Sequence, residues 1–227
     1  MANANKTNSN AYTIIYAACL VIVVALLLSV VASVLKPQQV ANEKIDKKAQ
    51  ILSAINIADD DVEAAYAKYV SKAVAVDAQG NEVAGKDGFD VDFNGESSAD
   101  LMPLYVCNVN NEVKYIIPLR GAGLWGPIWG YVGLNSDKST IYGITFGHES
   151  ETAGLGAEIV TEKFTSRFTG KNIKNAGNVV SVAVVKKGTK VDGQDQVDAI
   201  SGATLTSNGV NVMLKDCLGK YNSFLTK

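Results

Sequence analysis

The hydrophobic pattern divides the chain into an apolar N-terminal run and a mixed remainder. No charged residue occurs in 7–35, and 14–35 is almost entirely apolar. A run of about 20 such residues matches the hydrocarbon core of a bilayer. Lys36 and Pro37 follow directly and are expected to end the span. The pattern predicts a short tail over 1–12 and one transmembrane anchor over 13–35.

A cleaved signal peptide is the alternative interpretation of the apolar run. Val30, Val31 and Ala32 would form a passable cleavage site. The run is longer than the usual apolar region of a signal peptide, however, and Lys6 is the only charged side chain before it. These two features favour an anchor that stays on the chain.

The segment after the anchor, 36–58, is predicted to be a juxtamembrane helix or linker. Within it, 38–57 carries an uneven apolar stripe at helical spacing, formed by Val40, Ile45, Ile51, Leu52 and Ile55. Three aspartates, 59–61, then precede a second helix over 62–70, where acidic residues cap a helix and suit its dipole. A calcium loop is excluded there, because the later ligands and the turn glycine are missing. Residues 81–98 are rich in Gly, Asp and Asn, which indicates an exposed excursion.

The middle of the chain has the pattern of an antiparallel sheet. Short runs rich in Val, Ile and Tyr occupy 104–109, 113–119, 128–134 and 140–146, and the turn-like stretches NVNNE and NSDKS separate pairs of them. A helix over 157–168, closed by Gly170, and a strand over 179–185 are predicted next. The last helix begins near Thr204, with one apolar face made of Val210, Met213, Leu214, Cys217, Leu218 and Tyr221. The sum is an α+β fold over 59–227, an antiparallel sheet with packed helices.

Composition and charge argue against several classes of function. The net charge is −2 and there is no basic patch with interleaved aromatic residues, so nucleic acid is not an expected partner. His148 is the only histidine, and Cys19, Cys107 and Cys217 form no Cys-x-x-Cys pair. No metal site is therefore predicted, and the thiols are interpreted as small apolar groups.

Two motif matches fail on their context, and a third motif is absent from the sequence. GAGLWG, 121–126, has the letters of a dinucleotide-binding loop, but Pro127 and a strand pattern follow it where a helix must open. GNEVAGKD, 80–87, resembles a phosphate-binding loop, but Asp87 stands where a hydroxyl must ligate Mg²⁺. No G-x-S-x-G elbow of a serine hydrolase occurs.

The stretch DAISGATLTS, 198–207, gathers four hydroxyls at the start of the last helix: Ser201, Thr204, Thr206 and Ser207. One cap would satisfy a helix, so a polar loop with a redundant cap is the plain interpretation. A helix start also offers free N–H donors and a positive dipole end, and Gly202 lets a backbone approach closely. These features favour a bound anion such as a phosphate.

The same stretch resembles a known flavin-attachment motif. Asp198-Ala-Ile-Ser-Gly-Ala-Thr204 is similar to the flavinylation motif of the FMN-binding domain family, in which the final threonine is esterified to the FMN phosphate. RGAGLWGPIWGYVGL, 120–134, and HESETAGLGAEI, 148–159, resemble two further signatures of that family. Together with the anchor, they resemble the C subunits of Na⁺-translocating NADH:quinone reductases. The G subunits of Rnf electron-transport complexes share the threonine motif but usually have a tyrosine-containing G-Y-x-G stretch where this chain has Gly123-Leu124-Trp125-Gly126.

The resemblance implies a set of cofactor-binding residues. Thr204 would carry one covalent FMN, and Asp198 would be recognised by the flavin transferase that attaches it. Trp125 would stack on or edge the ring, although an ordinary core aromatic is an equal alternative. Lys186 would place a cation near the ring or phosphate, unless it is simply a solvated lysine. The remaining implied contacts are Ser201, Gly202, Ala203 and Thr206 around the phosphate, and Glu151, Thr152, Leu155 and Gly156 in a loop that closes on the ring. Ala153 replaces a proline that is usual in that loop.

The implied function is electron relay by a membrane-anchored flavoprotein subunit. Its partners would be the other subunits of a complex that oxidises NADH, reduces a quinone such as ubiquinone and exports Na⁺. The resemblance places the main domain on the periplasmic side of a bacterial inner membrane. Lysines just after the span, at positions 36, 44, 47 and 48, favour the cytoplasm instead. A rival hypothesis from another class is a flavin-free, membrane-tethered module that binds a different anion.

Overall fold

The computed structural model describes residues 10–91, 93 and 101–227. The chain forms two compact units, Met1–Asp46 and Lys47–Lys227. Part of the predicted tail, 1–9, and part of the predicted excursion, at 92 and 94–98, lie outside the described residues.

The first unit is built on a long apolar helix. This helix, α1, spans Asn10–Ser53 and is long and apolar enough to cross a membrane. Its large apolar side chains are exposed over the predicted span. The helix does not stop where the apolar run ends, because α1 continues through Pro37 into the segment predicted as a juxtamembrane helix or linker. A proline costs one backbone hydrogen bond, and the helix-favouring residues on both sides of it outweigh that local cost.

In the second unit, the C-terminal turns of α1 supply buried residues. Ile51 and Leu52 are buried as the stripe predicts, whereas Val40 and Ile45, in the other unit, are exposed. The helix ends at Ser53, earlier than predicted, and Asn56 takes a left-handed backbone conformation. A short helix, α2 (Val62–Tyr69), follows and is capped by Asp61, whose side chain accepts from the Ala64 amide at 3.0 Å.

A six-stranded antiparallel sheet forms the centre of the second unit, in the order β2-β1-β3-β4-β5-β6. Its strands are β1 (Val70–Val76), β2 (Glu82–Asp87), β3 (Met102–Val109), β4 (Glu112–Ala122), β5 (Pro127–Leu134) and β6 (Ile141–His148). The predicted hairpin between β3 and β4 turns on Asn110 and Asn111. Both have positive φ, as a tight two-residue turn requires. The sheet confirms the predicted α+β class.

Two of these strands were not predicted. β1 begins at Val70, which the pattern assigned to the second helix, and β2 lies in the predicted excursion. β2 is one of the two edge strands of this sheet and is largely exposed, so its sequence shows no alternation of apolar and polar residues. Strand pairing in such segments depends on the neighbouring strand more than on local propensity.

Both faces of the sheet are covered, which explains why its strands are apolar at successive positions. On β4, Ile116 belongs to a cluster with the end of α1, while Ile117 belongs to a second cluster with the last long helix. On β5, Tyr131 belongs to the cluster with the end of α1, and Val132 belongs to the cluster with the last long helix. Side chains alternate between faces along a strand, so each strand contributes to both clusters.

The segment after the sheet is more broken than predicted. The expected helix over 157–168 is a 3-10 turn (Gly156–Val160), a short helix α3 (Glu162–Thr165) and another 3-10 turn (Ser166–Phe168). Thr161 is extended between the first two, and three β-branched residues in a row at 159–161 disfavour a continuous helix. Phe164 and Phe168 are nevertheless buried, as a helical face would place them.

Short strands and the last helices complete the fold. The expected strand over 179–185 is interrupted, because Ser181 has a φ of 72°. The short strands are β7 (Lys174–Asn175), β8 (Asn178–Val179), β9 (Ala183–Val185) and β10 (Gln196–Asp198), and β9 pairs in parallel with β10. The last helices are α4 (Thr204–Lys220) and α5 (Asn222–Leu225). α4 begins where predicted, and its predicted apolar face is buried.

Candidate functional site

Three segments carry all the predicted site residues except Lys186. We call them the glycine turn (121–126, from the end of β4 to the start of β5), the acidic loop (148–156, from the end of β6) and the helix start (198–207, from the end of β10 into α4). They are far apart in sequence, and the contacts described below bring them together.

The helix start is shaped by a glycine and a backbone turn. Gly202 has a φ of 82°, a left-handed conformation that favours glycine. The Ala203 amide donates to the Ile200 carbonyl at 3.1 Å, and the Ser207 amide donates to the Ala203 carbonyl at 2.9 Å. These bonds close a turn that leads directly into α4, with Thr204 as its first residue.

The four hydroxyls of this stretch separate into two pairs. Thr206 and Ser207 are buried; Thr206 Oγ1 donates to Glu151 Oε2 at 2.6 Å, and Ser207 Oγ accepts from the Ile200 amide at 3.1 Å. Ser201 and Thr204 are exposed, and within the described ranges their hydroxyls make no hydrogen bond. The N-cap residue of α4 is Ala203, and no side chain forms a capping hydrogen bond there. Neither exposed hydroxyl therefore acts as a helix cap.

The first turn of α4 is chemically suited to an anion. Its leading amides have no intrahelical acceptor, and the helix dipole places positive potential at the same end. The exposed Thr204 hydroxyl stands at this point with no competing partner in the described part of the chain. A phosphoryl group attached to Thr204 would therefore lie where free N–H donors can stabilise its charge.

The glycine turn presents two apolar side chains to solvent. The Gly123 amide donates to the Gly126 carbonyl at 2.8 Å and closes the turn between β4 and β5. Leu124 and Trp125 lie at its tip, and Trp125 is 66% exposed. The alternative that Trp125 is a core aromatic is therefore wrong. A strand, β5, follows the turn, which agrees with the rejection of a dinucleotide-binding loop here.

The acidic loop is held from within by one buried carboxylate. Glu151 is 7% exposed, and its Oε1 accepts from the Trp125 amide at 2.9 Å. Desolvation by burial raises its pKa, but hydrogen bonds from Thr206 and from the Trp125 and Leu124 amides outweigh burial and lower the pKa below its ordinary value of 4.5. The carboxylate is ionised at neutral pH.

The other predicted residues of the acidic loop lie at its surface or in its tight interior. The Thr152 carbonyl accepts from the Leu155 and Ala157 amides, both at 3.1 Å, and the Thr152 and Leu155 side chains are exposed. Gly156 is buried. A Cβ added at Gly202 would lie 3.0 Å from Leu155 Cδ2, so the acidic loop packs against the helix start.

Asp198 and Lys186 lie at the same end of the β9–β10 pair. Asp198 is paired with Val185, the residue before Lys186, and the Ala199 amide donates to the Val185 carbonyl at 2.7 Å. Lys186 is exposed. Asp198 therefore opens the helix start, and Lys186 follows the paired end of β9. No hydrogen bond within the described ranges joins either residue to Thr204.

Sequence reasoning missed two kinds of residue. Leu205 is 60% exposed beside Thr204, and Leu124 is exposed beside Trp125. Arg167 Nη1 donates to the Asp198 carbonyl at 2.7 Å and holds the start of this segment. The available signal for Leu205 was its place outside the apolar face of α4. No local pattern indicates the partner of Arg167.

No metal centre is seen in the ranges described: they hold no cluster of three or more His, Cys, Asp and Glu side chains that could bind an ion. Cys107 and Cys217 are buried and free, and Cys19 is exposed on α1. Burial raises the pKa of the Cys107 thiol to about 12, which suits a small apolar group rather than a reactive one.

Comparison with known proteins agrees with the motifs. The FMN-binding domain profile matches residues 123–219. The C subunit of the Na⁺-translocating NADH-quinone reductase of Haemophilus ducreyi is 31% identical over 100% of this chain and 97% of its own. The crystal structure of the equivalent protein from Parabacteroides distasonis has a TM-score of 0.81 and 46% identity, and covers 85% of this chain and 98% of its own. NqrC from Shewanella oneidensis, at 22% identity with a TM-score of 0.67 over 82% of this chain and 97% of its own, shares the fold.

Proposed function

Because the chain belongs to the family of Na⁺-translocating NADH-quinone reductase C subunits, we propose that Thr204 carries one covalent FMN and that the protein relays electrons within such a complex. The observation that carries the proposal is the exposed Thr204 hydroxyl at the first position of α4, inside the SGAT motif. In attachment, the hydroxyl oxygen of Thr204 would form a bond to the FMN phosphorus as the phosphoanhydride P–O bond of a flavin dinucleotide donor breaks. The nucleoside monophosphate would leave, and the hydroxyl proton would pass to solvent. A flavin transferase that recognises Asp198 would catalyse this step.

The residues around Thr204 fit both parts of FMN. The free amides of the first turn of α4, with Ser201, Gly202 and Ala203 beside them, suit the phosphate. Exposed apolar side chains suit an aromatic ring: Leu124, Trp125, Leu155 and Leu205. Redox chemistry belongs to the bound flavin, and the protein contributes orientation and electrostatics.

The proposed domain plan follows the same reasoning. Residues 13–35 would anchor the chain in a bacterial inner membrane, and 59–227 would form the FMN-binding domain. Residues 36–58 would connect the anchor to this domain. The other subunits of the complex would be its partners, and its domain would lie on the periplasmic side. An alkaline phosphatase fusion at Lys227 should then be active and a green fluorescent protein fusion dark. The reverse pattern would restore the orientation favoured by the lysines after the span.

Intact mass tests the attachment directly. The full chain, co-expressed with a flavin transferase, should gain the mass of one FMN less one water and should fluoresce in a denaturing gel. A peptide map should place the adduct within 198–207. A folded chain that stays colourless and unmodified beside an active transferase would instead support the flavin-free anion-binding module.

A further inference from the structure

Glu151, in the acidic loop, makes hydrogen bonds to both of the other site segments. Its Oε1 accepts from the Trp125 amide of the glycine turn at 2.9 Å, and its Oε2 accepts from Thr206 Oγ1 of the helix start at 2.6 Å. The carboxylate is almost fully buried. Both of its oxygens are thus directed at protein donors.

Two glycines leave the space that this carboxylate occupies. A Cβ added at Gly123 would lie 2.3 Å from Glu151 Oε1, and a Cβ added at Gly156 would lie 2.2 Å from Oε2 and 2.6 Å from Thr206 Oγ1. A Cβ atom does not make non-bonded contacts this short, so a side chain at either glycine would displace the carboxylate. The glycine turn and the acidic loop are built around Glu151.

We infer that Glu151 is a positioning residue, which joins the glycine turn to the start of α4 and thereby fixes one orientation of a flavin attached at Thr204. The inference rests on the proposed function. Glu151 acts through the residues that it holds: Trp125 lies at one end of the bridge, and Thr206 is one helical half-turn from Thr204. Thr206 then serves the bridge rather than the phosphate.

The chemistry of the bridge suggests a matched pair of variants. In Glu151→Gln, the amide oxygen can still accept from the Trp125 amide, and the amide nitrogen can donate to Thr206 Oγ1, because a hydroxyl both donates and accepts. The shape and both hydrogen bonds survive without the charge. In Glu151→Ala, both hydrogen bonds are lost. A positioning role therefore predicts that Gln rescues what Ala removes.

The experiment uses the full chain in detergent, co-expressed with a flavin transferase, and compares only fractions that carry one FMN by intact mass. The readouts are the visible circular dichroism of the flavin and its fluorescence anisotropy. We expect Glu151→Ala to lose at least half of the dichroism amplitude and to show lower anisotropy, because the ring is no longer held. Glu151→Gln should retain more than three quarters of the amplitude. Glu162→Ala, which removes an exposed carboxylate outside the site, is the matched control and should behave as wild type.

Thr206→Val provides a second route if Glu151→Ala does not fold, because it cuts only the connection to α4 and should also halve the dichroism. Wild-type dichroism and anisotropy in flavinylated Glu151→Ala or Thr206→Val would overturn the positioning role, and so would equal loss in Glu151→Gln and Glu151→Ala. A wild-type chain that gains no FMN would overturn the proposed function instead, so the two failures are distinguishable.

Discussion

Thr204 and Thr206 are two residues apart on α4, yet they face opposite environments. Thr204 is exposed, and its hydroxyl has no partner in the described part of the chain, whereas Thr206 is 1% exposed and donates to a buried carboxylate. Ser201 and Ser207 differ in the same way. The comparison separates an available side of the helix start, formed by Ser201 and Thr204, from a structural side, formed by Thr206 and Ser207. Both sides carry the same residue types.

This difference explains why the stretch holds more hydroxyls than a cap requires. The structural side fixes the helix start to the acidic loop and to its own preceding turn, and neither bond is a side-chain cap. The available side is then free to react without a cost in folding. Substitutions on the two sides should therefore change different measurements.

The largest effect is expected for Thr204→Val. Valine has nearly the shape of threonine but lacks the reacting oxygen, so the adduct should be absent even with the transferase present. The fold should persist, because the Thr204 hydroxyl makes no hydrogen bond in the described ranges. Intact mass measures the adduct, and Thr206→Val, which should still gain one FMN at Thr204, is the control. An adduct that persists in Thr204→Val would show that a different hydroxyl reacts.

Thr206→Val should have the opposite effects: it should still gain FMN, but its free energy of unfolding should be lower than that of wild type. It leaves the buried Glu151 Oε2 without its hydroxyl donor, and an unsatisfied buried acceptor costs about 1–3 kcal/mol. Urea unfolding of the full chain in a mild detergent, followed by tryptophan fluorescence, measures the change in the free energy of unfolding. Equal stability of Thr206→Val and Thr204→Val would remove the distinction between the two sides.

The sequence predicted the available side better than the structural side. The SGAT motif, the sheet and the start of α4 follow from local patterns and from the resemblance. The partner of Thr206 does not, because Glu151 is 55 positions away in sequence and is brought close only by the fold. Hydrophobic periodicity likewise could not indicate that Trp125 is exposed, since tryptophan side chains are highly buried on average.

The places where the predicted elements were wrong have local and tertiary causes. β2 at the sheet edge has no alternating pattern, and the strand near Ser181 is broken by one left-handed residue. The helix expected over 157–168 is interrupted at Thr161. The two strand outcomes depend on tertiary contacts, which override weak local propensities, whereas the β-branched run at 159–161 disfavours the helix locally.

The free energy of unfolding should depend on pH through Glu151, the carboxylate that binds the structural side. The folded pKa of Glu151 is lowered, so its ionised form contributes stability above the unfolded pKa of about 4.3, and that contribution is lost as pH falls through the lower folded value. The advantage of wild type over Glu151→Gln in the free energy of unfolding should thus be largest near pH 6–7 and shrink toward pH 3.

Urea unfolding at several pH values checks this result. The charged or hydrogen-bonding groups that act on Glu151 are His148, Thr206 and the Leu124 and Trp125 amides, and all of them are present in both proteins. The difference between the two proteins therefore reports the charge of the residue 151 side chain itself. A wild-type advantage that grows as pH falls would contradict the lowered pKa.

The smallest effect is expected for Ser201→Ala on the available side. Its hydroxyl is exposed and makes no hydrogen bond in the described part of the chain, so the free energy of unfolding should change by less than about 0.5 kcal/mol. Ser207→Ala is the matched control on the structural side. It leaves the Ile200 amide without its acceptor and should cost about 1 kcal/mol. If Ser201→Ala destabilises the chain as much as Ser207→Ala does, exposure does not divide the two sides of the helix start, and the hydroxyls of this stretch act as one cap.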